Sequence, residues 1–255
     1  MGYTMITGAT SGIGYELMKL FAKDGNDLVL VARSRDKLES IKGFYSRKYG
    51  IDIVPIVKDL SRRGAAGEVF DEVSGMGIEI ENLVNNAGIG CYGLFHELDL
   101  SETTDLLNLN IISLTELTRL LLPKMVRVNR GMVLNIASTA AFQPGPLMAA
   151  YYASKAYVLS LSEALSHELE GTGVTVTALC PGPTTTDFQR KAKVSRTNVA
   201  NRFKMSAAAV AEEGYRGMMK GKSIVVAGPF NKAIPVISKL VPRFVVIRAV
   251  KKLNT

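Results

Sequence analysis

Seven short runs rich in Val, Ile, Leu and Ala recur along this chain of 255 residues, separated by stretches of helical periodicity. They are YTMIT (3–7), DLVLVA (27–32), DIVPIV (52–57), NLVNN (82–86), GMVLNIA (131–137), GVTVTALC (173–180) and SIVVAG (223–228). A strand with one face in water alternates apolar and polar residues; these runs do not, which predicts strands covered on both faces. Helical periodicity is clearest over 11–25, 101–125 and 151–171. Gly25 and Gly171 follow helix ends, where a left-handed residue closes the last turn. Ser101, with Thr104 and Asp105 after it, is the predicted cap of the second of these helices. Alternating β and α units with buried strands imply a parallel sheet with helices on both faces, and right-handed crossovers make it doubly wound. The fold expected is therefore α/β, a doubly wound parallel seven-stranded sheet. Nothing divides the chain, so residues 1–255 are predicted to form one domain, with a lid over about 184–206 and a helical tail over about 231–255.

Composition narrows the function classes. Apolar residues at 47% and charged residues at 21% fit a well-buried core and exclude intrinsic disorder. Two cysteines, Cys91 and Cys180, provide no disulfide framework and point to a reducing compartment. Two histidines, His96 and His167, argue against a zinc site, and no metal is expected. His167 reads as a surface residue and His96 as a position near the pocket rim. The opening residues lack the pattern of a leader, which leads to the expectation of a cytoplasmic protein. The apolar stretch VPRFVVIRAV near the end is interrupted by Pro242, Arg243 and Arg248 and is too short for a membrane span. The net charge of +8 is local: residues 186–255 hold 15 of the 31 Lys and Arg but only 3 of the 23 Asp and Glu. A chain whose larger part is acidic is not expected to bind nucleic acid.

The first strand run leads into Thr7-Gly8-Ala9-Thr10-Ser11-Gly12-Ile13-Gly14. A sharp strand-to-helix turn that lets the backbone approach a diphosphate needs glycines, and the helix start offers free N–H groups. Tyr15 stands where a Walker loop would need its lysine pair. Spacing alone also fits a glycine loop without a ligand; placement between the first strand and first helix argues for a dinucleotide. After the second strand comes Arg33-Ser34-Arg35, with no carboxylate over 31–35. An acidic residue there would accept from both ribose hydroxyls, whereas an arginine pairs with a 2′-phosphate, so NADP(H) is expected over NAD(H). A merely solvated charge run is the alternative.

Tyr151 and Lys155 stand four apart on a predicted helix and share a face. An ammonium near a phenol favours the phenolate and prepares a tyrosine to exchange protons near neutral pH. Tyr152 has Ala156 at the same spacing, so only Tyr151 has a lysine partner. With these residues in place, residues 3–228 resemble the short-chain dehydrogenase/reductase family, a Rossmann-fold family. The likeness rests on TGATSGIG (7–14), Asp59-Leu60, NNAG (85–88), Asn110, Ser138, Tyr151-x-x-x-Lys155 and Pro181-Gly182. The resemblance implies that Ser138 polarises the substrate oxygen and that Tyr151 is general acid or base. It implies that Lys155 binds the nicotinamide ribose and lowers the tyrosine pKa, while Asn110 holds a water in a proton relay. Cofactor contacts implied are Gly8, Thr10, Ser11, Gly12, Ile13 and Gly14 at the diphosphate, with Arg33 at the 2′-phosphate. Asp59 and Leu60 would lie at the adenine, and Asn86, Ala87 and Gly88 along the ribose side. Pro181, Gly182 and Thr184 would lie near the carboxamide.

This sequence departs from the family in two places. Some NADP-using members carry a basic residue at the position of Ser11, so Arg33 must bear the phosphate preference. After SIVVAG the chain continues into a basic tail distantly similar to that of hydroxysteroid and long-chain acyl reductases. The segment TAAFQPGPLMAA between Ser138 and Tyr151 has little polarity, and a small apolar carbonyl or alcohol substrate is expected. A non-catalytic dinucleotide-binding sensor or scaffold is the rival reading. A homodimer or homotetramer is expected through the helices at 101–125 and 151–171, which have more apolar positions than one buried face needs. In the tail, Val245, Val246, Ala249, Val250 and Leu253 share one face, and Arg243, Arg248, Lys251 and Lys252 the other. That pattern suits packing on the domain itself or on a second subunit, weak peripheral contact with an anionic membrane, or an acidic carrier near Arg190, Lys191 and Lys193.

Overall fold

The computed structural model describes residues 2–188, 192 and 204–255. Strands β1 (Tyr3–Thr7), β2 (Leu28–Ala32), β3 (Ile53–Val57), β4 (Ile80–Asn85), β5 (Gly131–Ile136), β6 (Val174–Cys180) and β9 (Ile224–Val226) form one sheet in the order β3-β2-β1-β4-β5-β6-β9. Every neighbouring pair is parallel. The order reverses between β1 and β4, the switch point where open α/β sheets bind ligands beyond their C-terminal strand ends. A short parallel pair not foreseen from sequence, β7 (Thr184–Thr185) with β8 (Met205–Ser206), lies beside the main sheet.

Helices α1 (Gly12–Lys23), α2 (Arg35–Tyr49), α3 (Ala65–Gly75), α4 (Leu100–Leu107), α5 (Leu114–Arg127), α6 (Ala149–Glu168) and α7 (Ala207–Met219) cover both faces. One core gathers Leu17, Met18 and Phe21 of α1 with Leu28 and Leu30 of β2 and Val210 and Met218 of α7. The other gathers Met5, Val29 and Leu83 with Val69 and Val73 of α3 and Leu117 and Leu121 of α5. Successive residues of β2, Leu28 to Val31, thus feed opposite cores, which is why the run shows no polar alternation. Gly25 and Gly171 do adopt left-handed backbone, at φ of +76° and +84°.

Two expectations about helices need correction. Ser101 is not the cap: Asp99 is, its carboxylate accepting from the backbone N–H groups of Ser101 and Glu102 and from the Ser101 hydroxyl. A carboxylate two residues earlier, free of its own helix, reaches those donors and outcompetes the hydroxyl. The stretch read as one regular helix is α4 and α5 joined by a wider π turn, Asn108–Ser113, centred on Asn110. The tail forms two helices, α8 (Ile234–Leu240) and α9 (Arg243–Asn254), separated by Val241 and Pro242. Helix α9 packs Val246 and Val250 against Met148, Tyr151 and Tyr152, so the expected packing on the chain's own domain holds for these two.

Candidate active site

Beyond the C-terminal ends of the strands lies a cleft of about 1100 Å³. Ligand sites usually measure about 300–1,000 Å³, so there is room for a dinucleotide with a substrate beside it. Gly8, Thr10, Ser11, Gly12 and Ile13 line one end. Gly8 and Gly12 hold φ of +67° and +58°, left-handed values that favour glycine. Gly14 does not line the cleft; a Cβ there would overlap the Asn86 carboxamide, which donates to the carbonyls of Thr7 and Gly8 at 2.9 and 3.2 Å. The Thr7 hydroxyl in turn accepts from the N–H groups of Asn86 and Ala87, both at 3.0 Å. The glycine turn and the NNAG segment therefore brace one another. Ser11, the N-cap of α1, makes no side-chain cap bond, so the helix start presents its donors to the cleft. This fits a diphosphate.

At the same end Arg33 lines the cleft with Ser34 and Lys37, two residues that sequence reading missed. Their signal was there, since Ser34 is the N-cap of α2 and Lys37 lies in its first turn. Arg33 lies 3.7 Å from the Asp59 carboxylate in an exposed pair. Burial alone would raise the Asp59 carboxyl, but hydrogen bonds from Ser61 and the Arg33 charge hold it below the ordinary value. Leu60, Asn86, Ala87 and Gly88 line the same cleft, as do Pro181, Gly182 and Thr184.

Ser138, Tyr151 and Lys155 line the middle of the same cleft. Ser138 caps a short helical turn (Thr139–Phe142), its Oγ accepting from Ala140 N–H at 3.1 Å. Helix α6 places Tyr151 and Lys155 on one face, with the Lys155 Nζ 5.9 Å from the Tyr151 ring centre. Lys155 is 5% exposed and donates to the Ile136 carbonyl at 2.7 Å. Burial, which disfavours the ammonium, brings its pKa down to about 8. Asn110 stands behind this wall rather than in it. Its Oδ1 accepts from Ile89 N–H at 3.0 Å, while its Nδ2 donates to Ile89 O at 2.9 Å and to Ser154 Oγ at 3.1 Å. A Cβ on Gly88 would lie 3.2 Å from Asn110 Oδ1 and 3.5 Å from Lys155 Nζ, so both side chains converge there. The π turn is what swings Asn110 into this position. Asn85, one residue before Asn86, donates to Thr118 and Asn135, and Asn135 to Ser162, tying β4, β5, α5 and α6 together beneath the site.

The rest of the lining mixes apolar side chains, Cys91, Tyr92, Leu98, Ala140, Tyr152, Phe188 and Ile234, with the acidic Glu97, Asp99, Glu102 and Asp105. Sequence reading missed the closure of the cleft by the far end of the chain. Asn254 is buried and lines the cleft; its Nδ2 donates to Pro146 O at 2.9 Å and its main-chain carbonyl accepts from Tyr92 OH at 2.8 Å. Tyr152 OH reaches the Asn254 carboxamide at 3.4 Å. His96 and His167 are exposed and neither lines the cleft. Most of the expected lid, with Arg190, Lys191 and Lys193, lies outside the described residues.

A family model for short chain dehydrogenases matches residues 3–197. The chain belongs to the short-chain dehydrogenase/reductase family, whose members are oxidoreductases of CH–OH and keto groups. Among its relatives is a very-long-chain 3-oxoacyl-CoA reductase of Anas platyrhynchos, 36% identical over 199 residues, covering 76% of this chain and 63% of the relative. A 17-beta-hydroxysteroid dehydrogenase type 3 of Mus musculus is 33% identical over 203 residues, covering 79% of this chain and 66% of its own length. The chain therefore spans less than two thirds of the curated relatives it matches. A solved short-chain dehydrogenase from Sphingobium yanoikuyae, in complex with NADPH, superposes with a TM-score of 0.81 at 30% identity, covering 89% of this chain and 87% of that one.

Proposed function

We propose that the chain is an NADP(H)-dependent reductase or dehydrogenase acting on a carbonyl/secondary-alcohol pair in a small apolar substrate. The observation that carries this reading is convergence: Ser138, Tyr151 and Lys155 line the same cleft as the glycine turn. Ser138 donates to the substrate oxygen, and Tyr151 supplies the proton in reduction or removes it in oxidation. Lys155 stabilises the phenolate and holds the ribose hydroxyls. Asn110, with its carboxamide beside Gly88 and Lys155, positions the lysine and the relay that replaces its proton. The nicotinamide, when bound, supplies or accepts the hydride. Preference for NADP(H) rests on Arg33, Ser34 and Lys37 at one end of the cleft with no acid among residues 31–35. Leu98, Ala140, Tyr152, Phe188 and Ile234 in the lining favour a steroid-like, acyl or other bulky ketone, with Glu97, Asp99, Glu102 and Asp105 also in that lining.

An oligomer fits the surface. Leu107 and Ile112, at and just after the end of α4, with Leu120 of α5 and Tyr157 of α6, stand exposed on adjoining helices, and Thr115 meets Tyr157 at 3.0 Å. The direct test of the activity is NADPH oxidation against bulky ketones, 3-oxoacyl thioesters, aldehydes and sugars. Turnover confined to apolar carbonyls supports the reading. NADPH binding with no turnover of any class would favour a sensor or scaffold instead.

A further inference from the structure

Helix α9 turns Val246, Val250 and Asn254 inward, one per turn, and α8 turns Ile234 toward the cleft. What remains outside is apolar. Val236, Ile237, Leu240, Phe244 and Val245, all within ten positions, are between 42% and 79% exposed. Around them stand Lys232, Lys239, Arg243, Arg248, Lys251 and Lys252, all exposed, while residues 229–255 contain no Asp or Glu. None of these cations pairs with a carboxylate among the described residues. Arg248 lies over the Phe244 ring at 5.6 Å, so cation and apolar surface share one face. Isolated exposed leucines are ordinary, but a contiguous apolar patch ringed by charge marks a contact surface.

We propose that this outer face of the α8–α9 pair docks on an anionic lipid surface. A second copy of the chain suits it poorly, because a two-fold contact sets a patch against itself. Six cations would face six cations with no acid in the segment to pair them. Lipid answers both halves of the patch: bulky apolar side chains enter the acyl boundary while Lys and Arg stay among anionic headgroups. No helix among the described residues is long and apolar enough to cross a membrane, so the contact is peripheral. Ile234, Leu253 and Asn254 line the cleft from the same two helices, which sets that part of the cleft beside the bilayer. The proposal goes beyond the reductase reading and does not depend on it, since binding is measured without turnover.

The test is flotation of the full chain with vesicles of phosphatidylcholine containing roughly one third phosphatidylglycerol, compared with pure phosphatidylcholine. Binding is expected on the anionic vesicles at low salt, and its loss at about 0.5 M NaCl, where the Debye length shrinks to roughly 4 Å. At about fivefold per cation, R243Q/R248Q weakens partition about 25-fold. L240S/F244S should also weaken it by at least about tenfold, with an unchanged melting curve because both residues are exposed. Failure of the wild type to float at low salt, or equal binding to neutral vesicles, would overturn the proposal. So would L240S/F244S lowering the mass in sedimentation velocity while vesicle binding persists, which would make the face a subunit contact.

Discussion

The most informative perturbation is Lys155→Met, because the fold pays for this lysine. Its ammonium is buried against one carbonyl and titrates at about 8, against an ordinary 10.5. Between those values the unfolded chain binds more protons than the folded one, so stability rises with pH across the window. Below pH 8 the folded state carries the full cost of the buried charge. Linkage between these two values gives a wild-type gain of about 2 kcal/mol from pH 7 to pH 9.5. Methionine fills similar space without charge and removes this dependence. Urea denaturation of both proteins at the two pH values, taken as a double difference, cancels every other titrating group. Lys155→Met should be the more stable at pH 7, with the advantage shrinking by about 2 kcal/mol at pH 9.5. Parallel pH dependence in the two proteins would refute the claim that a charged lysine is held in the dry wall of the cleft.

Other residues make independent predictions. Arg33→Asp should weaken NADPH binding roughly 10- to 100-fold and NADH binding little, as charge-assisted contacts are worth about 1.5–3 kcal/mol; titration showing tighter NADH than NADPH binding in the wild type would sink the preference. Gly14→Ala pushes a methyl group into the Asn86 carboxamide. It should cost about 1–3 kcal/mol in thermal or urea melts and impair cofactor binding; a neutral result would mean the loop relaxes freely. Asn254→Ala removes the tie to Pro146 and the Tyr152 contact. A loss of about 1–3 kcal/mol is expected, with a raised KM for bulky ketones; unchanged melting and kinetics would deny the tail its role as a cleft wall.

The sheet was legible because each strand feeds two cores, as the alternating destinations of Leu28 to Val31 show. The glycine turn, Arg33, Asp59, Asn86 and Ser138 follow the ends of successive strands, and their order along the chain placed them in one cleft, whereas Gly14 and Asn110 lie outside its lining. Three things were not legible for physical reasons. Asp99 took the cap from Ser101 because a side chain's reach, not only its helix propensity, decides capping. The π turn at Asn108–Ser113 leaves the apolar period almost unchanged, so periodicity cannot see it. The bonds from Asn254 to Tyr92, Tyr152 and Pro146 span 102 to 162 residues, and no local pattern announces a contact of that separation. The amphipathic tail itself was visible, but not that Val246 and Val250 would be buried while Val245 and Leu253 stayed partly exposed.

On the proposed function, Tyr151 delivers a proton while hydride passes to a carbonyl in this cleft. Deuterium transfer checks this: NADPH carrying deuterium at both C4 positions is incubated with a bulky ketone, and the alcohol is weighed by mass spectrometry. The wild type should yield product one mass unit heavier. Tyr151→Phe should slow its formation about 100-fold or more while NADPH still binds, the usual share of acid–base catalysis. Tyr152→Phe, whose hydroxyl faces Asn254, should transfer label at a rate close to wild type. Unlabelled product, or undiminished transfer by Tyr151→Phe, would rule out Tyr151 as the proton donor of a hydride transfer in this cleft.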